Sequence, residues 1–416
     1  MKKTNISGRK IPRLLKRYGG TFLLALFFLI CTYLFCVYDS TFVSDATVLR
    51  WVKVAQNTFS EQNTEVPDDV MLINTCYDRT LVSAKDSEGL PCGNIDITDR
   101  QKLLRLMQIL KKHNNYRYIV LDIGLSTTEQ TPYDDSLFST IESMQRIAMV
   151  LPENEMIDPR LKSKSYDNFY NTSRFSSDCL KIPLVDSVSN GCLMLHVFTE
   201  LTGKKLSHTG PIYYSEGHLA RPIFFPNYYI VFNEKLNDSN AASPINYYNL
   251  GTDILNECSP EEYAELFQDM TIIIGDFEKN DNHMTYAGQL AGPLISLNIL
   301  LSLQDNAHHI PYWLLAILFS IFFIISDNML HRPYATSINE SQKMLSTKKG
   351  ISKGLIPLIL LSSLYSFVLT ALCVIIYLLT GQAYDIMFTG ILIGVSHCVI
   401  RVINRHKNKN KALQDQ

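Results

Sequence analysis

Apolar positions are segregated toward the two ends of this chain, and an ordinary mixture of polar and apolar positions fills its middle. The first apolar run, residues 21–38, holds 18 positions without a charge, with Leu23, Leu24, Leu26, Phe27, Phe28, Leu29 and Ile30 at its centre. A bilayer core of about 30 Å is crossed by roughly 20 apolar residues in a helix, so this run predicts a membrane span. A cleavable signal peptide has a shorter apolar stretch, about 7–15 residues, ending in small residues. The exit here is Cys36-Val37-Tyr38-Asp39, which favours an uncleaved anchor. Three further runs, residues 311–326, 355–379 and 386–400, predict three more spans. The run 355–379 is too long and too evenly apolar for the core helix of a soluble domain.

Between the ends, residues 39–310 alternate strand-like and helix-like patterns. Val70-Met71-Leu72-Ile73-Asn74 reads as a short buried strand. Thr98-Asp99-Arg100-Gln101 fits a capping box, in which Thr and Gln satisfy helix-start amides reciprocally, and Leu103, Leu104, Met107 and Leu110 then share one helical face. Residues 118–123 form a second strand, so the strand–helix–strand unit implies parallel pairing with a right-handed crossover. A helix near 135–144 and a strand at 147–151 extend it. Residues 152–258 are rich in Asn, Ser, Asp and Tyr, with short strands expected at 192–198 and 228–232. Order returns with a second capping box at Ser259-Pro260-Glu261-Glu262, a buried strand at 270–275, a loop at 276–286 and an apolar helix over about 288–303. The fold class that follows is an α/β ectodomain with a mainly parallel sheet, plus four transmembrane α-helices.

Charge orients the chain. Residues 1–20 carry seven Lys or Arg and no acid; residues 327–354 carry five basic residues and residues 401–416 five more, while the short connection 380–385 has none. Basic segments stay cytoplasmic, and four spans place all three on one side. The domains are therefore a cytoplasmic N-terminus (1–20), a span (21–38), an extracytoplasmic domain (39–310), a span (311–326), a cytoplasmic loop (327–354), two spans (355–379 and 386–400) and a cytoplasmic tail (401–416). The extracytoplasmic domain keeps 21 basic and 36 acidic residues. That surface excludes nucleic acid as a partner and suits cations or a basic partner; solubility alone also accounts for it. Cys76, Cys92, Cys179, Cys192 and Cys258 are an odd set in an oxidising space. Cys76 with Cys92 and Cys179 with Cys192 are possible bridges, and neither spacing is a metal signature. His308-His309 reads as an interfacial polar cap or a pH-sensitive pair. The pairs Tyr213-Tyr214, Tyr228-Tyr229 and Tyr247-Tyr248 suit either strand packing or a ligand surface.

Four features in order carry a resemblance: the opening strand 69–74 after a membrane helix; 118–124 with its terminal Asp122; 271–275 followed by Asp276; and the run Asp281-Asn282-His283-Met284-Thr285-Tyr286, then Gly288, Gly292-Pro293 and Asn298. The chain resembles the second type of CHASE domain, an extracellular sensory domain associated with bacterial cyclases and histidine kinases. That family has one membrane helix before the sensor and typically three after it. The resemblance implies a bacterial inner-membrane, multi-pass protein with a periplasmic sensor that answers an extracytoplasmic ligand and works with a membrane or cytoplasmic signalling partner. Its relatives continue into a cytoplasmic output domain, whereas this chain ends 16 residues after residue 400, so sensing or scaffolding is expected without an enzymatic output.

The candidate ligand-binding residues are Asp122, Asp276, Asp281, His283 and Thr285. Asp276, Glu278, Asp281 and His283 follow the carboxyl end of a strand in an open α/β sheet, where ligands favour binding, and Asp122 ends a neighbouring strand. An alternative reading is a metal-dependent hydrolase, because carboxylates and an imidazole suit a divalent cation. A third reading is loop architecture, since Asp and Asn hydrogen-bond turns. Nucleophile elbows, phosphate-binding Gly loops and H-E-x-x-H do not occur in the sequence. No catalytic residue, metal ligand or cofactor is assigned, and binding rather than turnover is expected.

Overall fold

The computed structural model describes residues 10–38, 48–53, 66–85, 90–127, 130–151, 157–168, 181–185, 191–231, 246–278, 281–331, 355–384 and 386–414. The chain divides into two compact units. Residues 1–49, His208–Arg221 and His309–Gln416 form the first, and Arg50–Ser207 with Pro222–His308 form the second. The first begins with α1 (Lys10–Tyr38), whose span Tyr18–Val37 is apolar enough to cross a membrane.

The second unit is built on a six-stranded sheet ordered β12-β1-β13-β4-β5-β6, with every neighbouring pair parallel. Its strands are β1 (Val70–Asn74), β4 (Tyr118–Asp122), β5 (Ile147–Val150), β6 (Ser165–Tyr166), β12 (Tyr247–Asn249) and β13 (Thr271–Gly275). All five residues of β1, β4 and β13 are buried, as expected of strands covered on both faces. The strand–helix–strand unit at 70–122 is present, but its two strands do not touch, because β13 inserts between them. An antiparallel hairpin, β2 (Arg79–Lys85) and β3 (Pro91–Thr98), precedes the helix.

Helix α2 (Arg100–His113) is capped by Asp99, whose carboxylate accepts from the amides of Gln101 and Lys102. Thr98, expected to cap it, is instead the last residue of β3. Leu103, Leu106, Met107 and Leu110 of α2 meet Leu137, Phe138 and Ile141 of α3 (Asp134–Ser143) and the alternating side chains Met71, Ile73, Ile119, Leu121, Ile272 and Ile274 of the sheet. The same core takes Leu250, Ile254 and Leu255 from a π-helix (Leu250–Glu257) and Tyr263 and Phe267 from the region of a one-turn helix, α5 (Glu262–Leu266). The Ser259–Glu262 capping box is formed, with the Ser259 amide donating to Glu262 at 2.6 Å.

The opposite face of the sheet is covered by α4 (Leu193–Thr202) and α6 (Gly292–Gln304). Residues 193–198 are thus helical, not a strand, while Cys192 keeps a single parallel bridge to Asp167. The run Cys192–Phe198 is apolar except for His196 and is only seven residues long, so periodicity alone could not separate a strand from a buried helix, and Gly203, left-handed at φ 75°, closes the helix. The segment expected as a strand at 228–232 has no ladder through Val231, and Phe232 lies outside the described residues. Its backbone is satisfied by a side chain: Asn298 of α6 accepts from the Ile230 amide at 3.0 Å and donates to its carbonyl at 2.9 Å. Residues 281–291, expected as loop and helix start, form a ribbon of β14 (Asn282–Thr285) and β15 (Gly288–Ala291). A short pair, β7 (Ile182–Pro183) with β11 (Ile223–Phe224), completes the unit. The side chain of Cys92, Cys179 and the loop 332–354 lie outside the described residues.

The first unit adds three helices to α1: α7 (Tyr312–His331), α8 (Leu355–Thr380) and α9 (Met387–Gln414). Each contains a stretch long and apolar enough to span a membrane, so the protein is a multi-pass membrane protein. Three helices run beyond the expected apolar runs, α1 from Lys10, α7 to His331 and α9 to Gln414, while the stretches apolar enough to cross a membrane in α1 and α9 are Tyr18–Val37 and Met387–Asn404. Helices α1 and α7 pack through Phe22 on Phe319 and Phe28 on Phe322, edge to face. Helices α8 and α9 pack through Gly390 and Gly394 against Ser366 and Ser362. A Cβ on Gly390 would lie 2.6 Å from Ser366 Cα, and one on Gly394 would lie 2.6 Å from Ser362 Cα. This is the small-xxx-small contact that lets membrane helices approach closely. Thr32 and Thr389 hydroxyls, 2.9 Å apart, join α1 to α9. The segment His208–Arg221, expected within the 39–310 domain, belongs to this unit as part of a ribbon of β8 (Leu206–Thr209), β9 (Ile212–Ser215) and β10 (His218–Ala220).

Candidate functional site

Four of the five residues singled out in the sequence, Asp122, Asp276, Asp281 and His283, lie around the start of α6 and the carboxyl ends of β4 and β13, whereas Thr285 lies at the turn end of the β14–β15 ribbon. Asp122, the last residue of β4, is paired in register with Gly275, the last of β13. Its carboxylate accepts from Ser296 Oγ of α6 at 3.0 Å and from Asn168 Nδ2 at 3.4 Å, and it is buried. Gly275 is required by the approach of α6: a Cβ there would lie 2.4 Å from the Pro293 ring.

Asp276 follows directly. It is buried, accepts from the Glu278 amide at 3.0 Å and lies 3.9 Å from Arg79. Asp281 reaches the N-terminus of α6. Its carbonyl accepts from the Gly292 amide at 2.7 Å, and its carboxylate would be 2.0 Å from a Cβ on Gly292. Carboxylates near a helix N-terminus are stabilised by the exposed amides and the helix dipole. His283 Nε2 is 2.7 Å from Asp281, so the pair forms one hydrogen-bonded unit, about one-third exposed. Thr285 plays a different part. Its hydroxyl donates to the Gly288 carbonyl and accepts from the Ala287 amide, closing the β14–β15 turn, and it is fully buried.

A second cluster lies at the carboxyl ends of β12 and β1 and centres on Glu278. Its carboxylate accepts from Tyr247 Oη at 3.1 Å, Asn74 Nδ2 at 3.0 Å and Tyr77 Oη. Asn74 Oδ1 in turn accepts from the amides of Cys76 and Phe277. The hydrogen bond to Glu278, then burial, pushes Tyr77 up to about 12. Burial, reinforced by the Glu278 charge, pushes Tyr247 up as well. Glu278 was visible in the sequence, and Tyr247 only as one of a pair suited to strand packing or a ligand surface; Asn74 and Tyr77 were not, because they are brought to Glu278 only by the placing of β12 and β13 on either side of β1.

Among the described residues, no three His, Cys, Asp or Glu side chains are placed to hold a metal ion. The carboxylates instead bind donors from the protein: a hydroxyl, two phenols, carboxamides, backbone amides and one imidazole. Such an edge can receive hydrogen-bond donors or a cation. A shallow groove of 480 Å³ lies elsewhere on this unit, between α2 and the π-helix, lined by Lys102, Arg105, Tyr133 and Asn256 among others; none of the predicted site residues lines it. The three tyrosine pairs occupy separate places, with Tyr213 and Tyr214 in the β9 ribbon, Tyr228 packed on Tyr286, and Tyr247 on Glu278. In comparisons with known proteins, the chain matches no family model, no curated protein and no solved structure at a significant level.

Proposed function

We propose that this protein is a membrane-anchored sensory or binding protein of CHASE type, whose α/β unit faces the extracytoplasmic space and meets its ligand at the carboxyl edge of the parallel sheet. The observation that carries the reading is the gathering of Asp122, Asp276 and the Asp281–His283 pair around the first turns of α6, next to the Glu278 cluster. In open α/β sheets this edge is where ligands bind. The arrangement of one span before the α/β unit and three after it is the family's arrangement. Residues 305–311 alone separate α6 from α7, so a ligand that prefers one arrangement of the 276–292 segment has a short covalent route to the membrane. It shifts the population only by its differential affinity. The basic segments at residues 1–20, 327–354 and 401–416 support an orientation with those segments in the cytoplasm and the α/β unit periplasmic, in a bacterial inner membrane.

The test is thermal melting of the purified full chain against a panel of divalent cations, amines and polar small molecules. A ligand should raise the melting temperature in a concentration-dependent way. Asp276→Asn, Asp281→Asn and His283→Ala should each shrink that shift while leaving expression intact. Robust hydrolysis of phosphoester, ester or glycoside substrates with magnesium, calcium or zinc, abolished by the same substitutions, would replace the binding reading with a hydrolase.

A further inference from the structure

The ribbon segment His208–Arg221 is tied at several points to the ends of the membrane helices. Tyr33 of α1 donates to the Pro211 carbonyl at 3.3 Å and accepts from the Tyr213 amide at 3.1 Å. At the ribbon's other turn, Tyr312 donates to the Gly217 carbonyl at 3.2 Å. The Ile310 amide donates to Leu219, and Ala220 bridges to His309. Arg221, buried, donates to the Ala383 carbonyl at 2.7 Å and lies 4.3 Å over the Tyr384 ring, in the connection between α8 and α9.

These anchors fix a depth. Tyr312 opens the α7 span, and Tyr33 lies four residues inside the end of the α1 span at Val37. At 1.5 Å of rise per residue that is about 6 Å inside the helix end. The turn at Gly210-Pro211 therefore sits at or below the level where the helices leave the hydrocarbon. Its chemistry agrees. Gly210 and Pro211 are ordinary turn residues, but the residue that follows them at the tip of the ribbon is Ile212, a large apolar side chain that is 47% exposed. The Tyr33 hydroxyl satisfies a backbone donor and a backbone acceptor of the turn, as an environment poor in water demands. Tyr312 and Trp313, both exposed at the start of α7, are the residue types that settle at headgroup level.

We propose that His208–Arg221 is a membrane-interfacial ribbon, with the Gly210-Pro211-Ile212 turn seated among the phospholipid headgroups at the exit end of α1 and the Ile212 side chain entering the acyl region. The ribbon is continuous with the lipid-facing bundle, which selects phospholipid as its partner over a second protein. It also ties the ends of α1 and α7 and the α8–α9 connection to one short segment of the chain.

The chain has two tryptophans, so a single reporter is available. The experiment places Ile212→Trp in a Trp51→Phe, Trp313→Phe background of the full chain, in phosphatidylcholine nanodiscs with and without brominated acyl chains. Brominated lipid should quench Ile212→Trp to the extent seen for a chain that keeps only Trp313, and acrylamide should quench it weakly. Thr209→Trp in the same background gives an independent reading of the same turn if the first variant folds poorly, and it should also be quenched by brominated lipid. Loss of bromolipid quenching with full acrylamide access, in whichever of the two variants melts like the parent, would place the ribbon in water and overturn the proposal.

Discussion

Replacing Asn298 with alanine should be among the most costly single changes in the α/β unit. Asn298 is fully buried in α6 and makes three hydrogen bonds, two of them to both backbone groups of Ile230, itself 1% exposed. Alanine leaves the Ile230 amide and carbonyl without the side-chain partner that stands in for a strand ladder at this residue. An orphaned buried polar group costs about 1–3 kcal/mol, so two predict a loss of about 2–6 kcal/mol. For a unit of this size, each kcal/mol moves the melting temperature by about 2–4 °C, which gives a shift of roughly 4–24 °C. The measurement is the melting of the full chain by circular dichroism at fixed scan rate, with hydrogen exchange at the Ile230 amide as the local readout. Asn282→Ala serves as the reference, because Asn282 is exposed and bonds one carbonyl; its effect should stay within about 0.5 kcal/mol. If Asn298→Ala melts with Asn282→Ala and Ile230 exchange is unchanged, the side chain does not substitute for a strand there.

Gly275→Ala should destabilise by about 1–3 kcal/mol, the cost of overpacking a tight core contact, because the new methyl meets the Pro293 ring; Gly275→Ala with Pro293→Ala should recover part of it in the same melts. Glu278→Gln should return the Tyr77 phenol from about 12 toward its ordinary value of 10.0, read from tyrosinate absorbance. Since the folded state favours the neutral phenol, Tyr77's contribution to stability is complete below pH 10 and is lost as the pH rises toward 12. Burial lowers the pKa of His196, which stacks on Tyr166, bonds Tyr118 and is opposed only weakly by Glu200. Its neutral form is favoured on folding, so its contribution is present above the ordinary value of 6.5 and fades as the pH falls below that. His196→Phe should flatten the acid limb of the melting-temperature profile.

The most regular elements were legible because one physical signal dominated each. Strands 70–74, 118–122, 147–150 and 271–275 are short, bounded apolar runs, and the four spans are longer than any soluble core needs. The hairpin 79–98 escaped because its strands are half-exposed and interrupted by Gly93 and Asn94, which blur the alternation. The strand expected at 192–198 proved to be the start of the 193–202 helix: its buried positions Leu193, Met194, Val197 and Phe198 keep a helical spacing, but within seven mostly apolar residues His196 alone is too little polar signal to reveal it. The 282–291 ribbon was missed for the opposite reason, being too polar to resemble a strand. At the candidate site, the local cluster from Asp276 to His283 could be read from spacing. Asp122 could be read as the end of a neighbouring strand. The phenols and carboxamide around Glu278 lie about 30 to 200 residues away, and only the strand order β12-β1-β13 makes them neighbours. The Gly390–Gly394 spacing was present in the sequence and becomes meaningful once Ser362 and Ser366 are found opposite.

Everything proposed for the α/β unit depends on the side of the membrane it occupies. Dual reporter fusions, active on one side only, decide this when placed after Gln416, within residues 335–345 and near Asn237. The expected result is a cytoplasmic signal at the first two positions and an extracytoplasmic signal at the third. A cytoplasmic signal near Asn237, or an extracytoplasmic one at either of the others, would contradict the orientation and with it the reading of this protein as a receptor for an extracytoplasmic ligand.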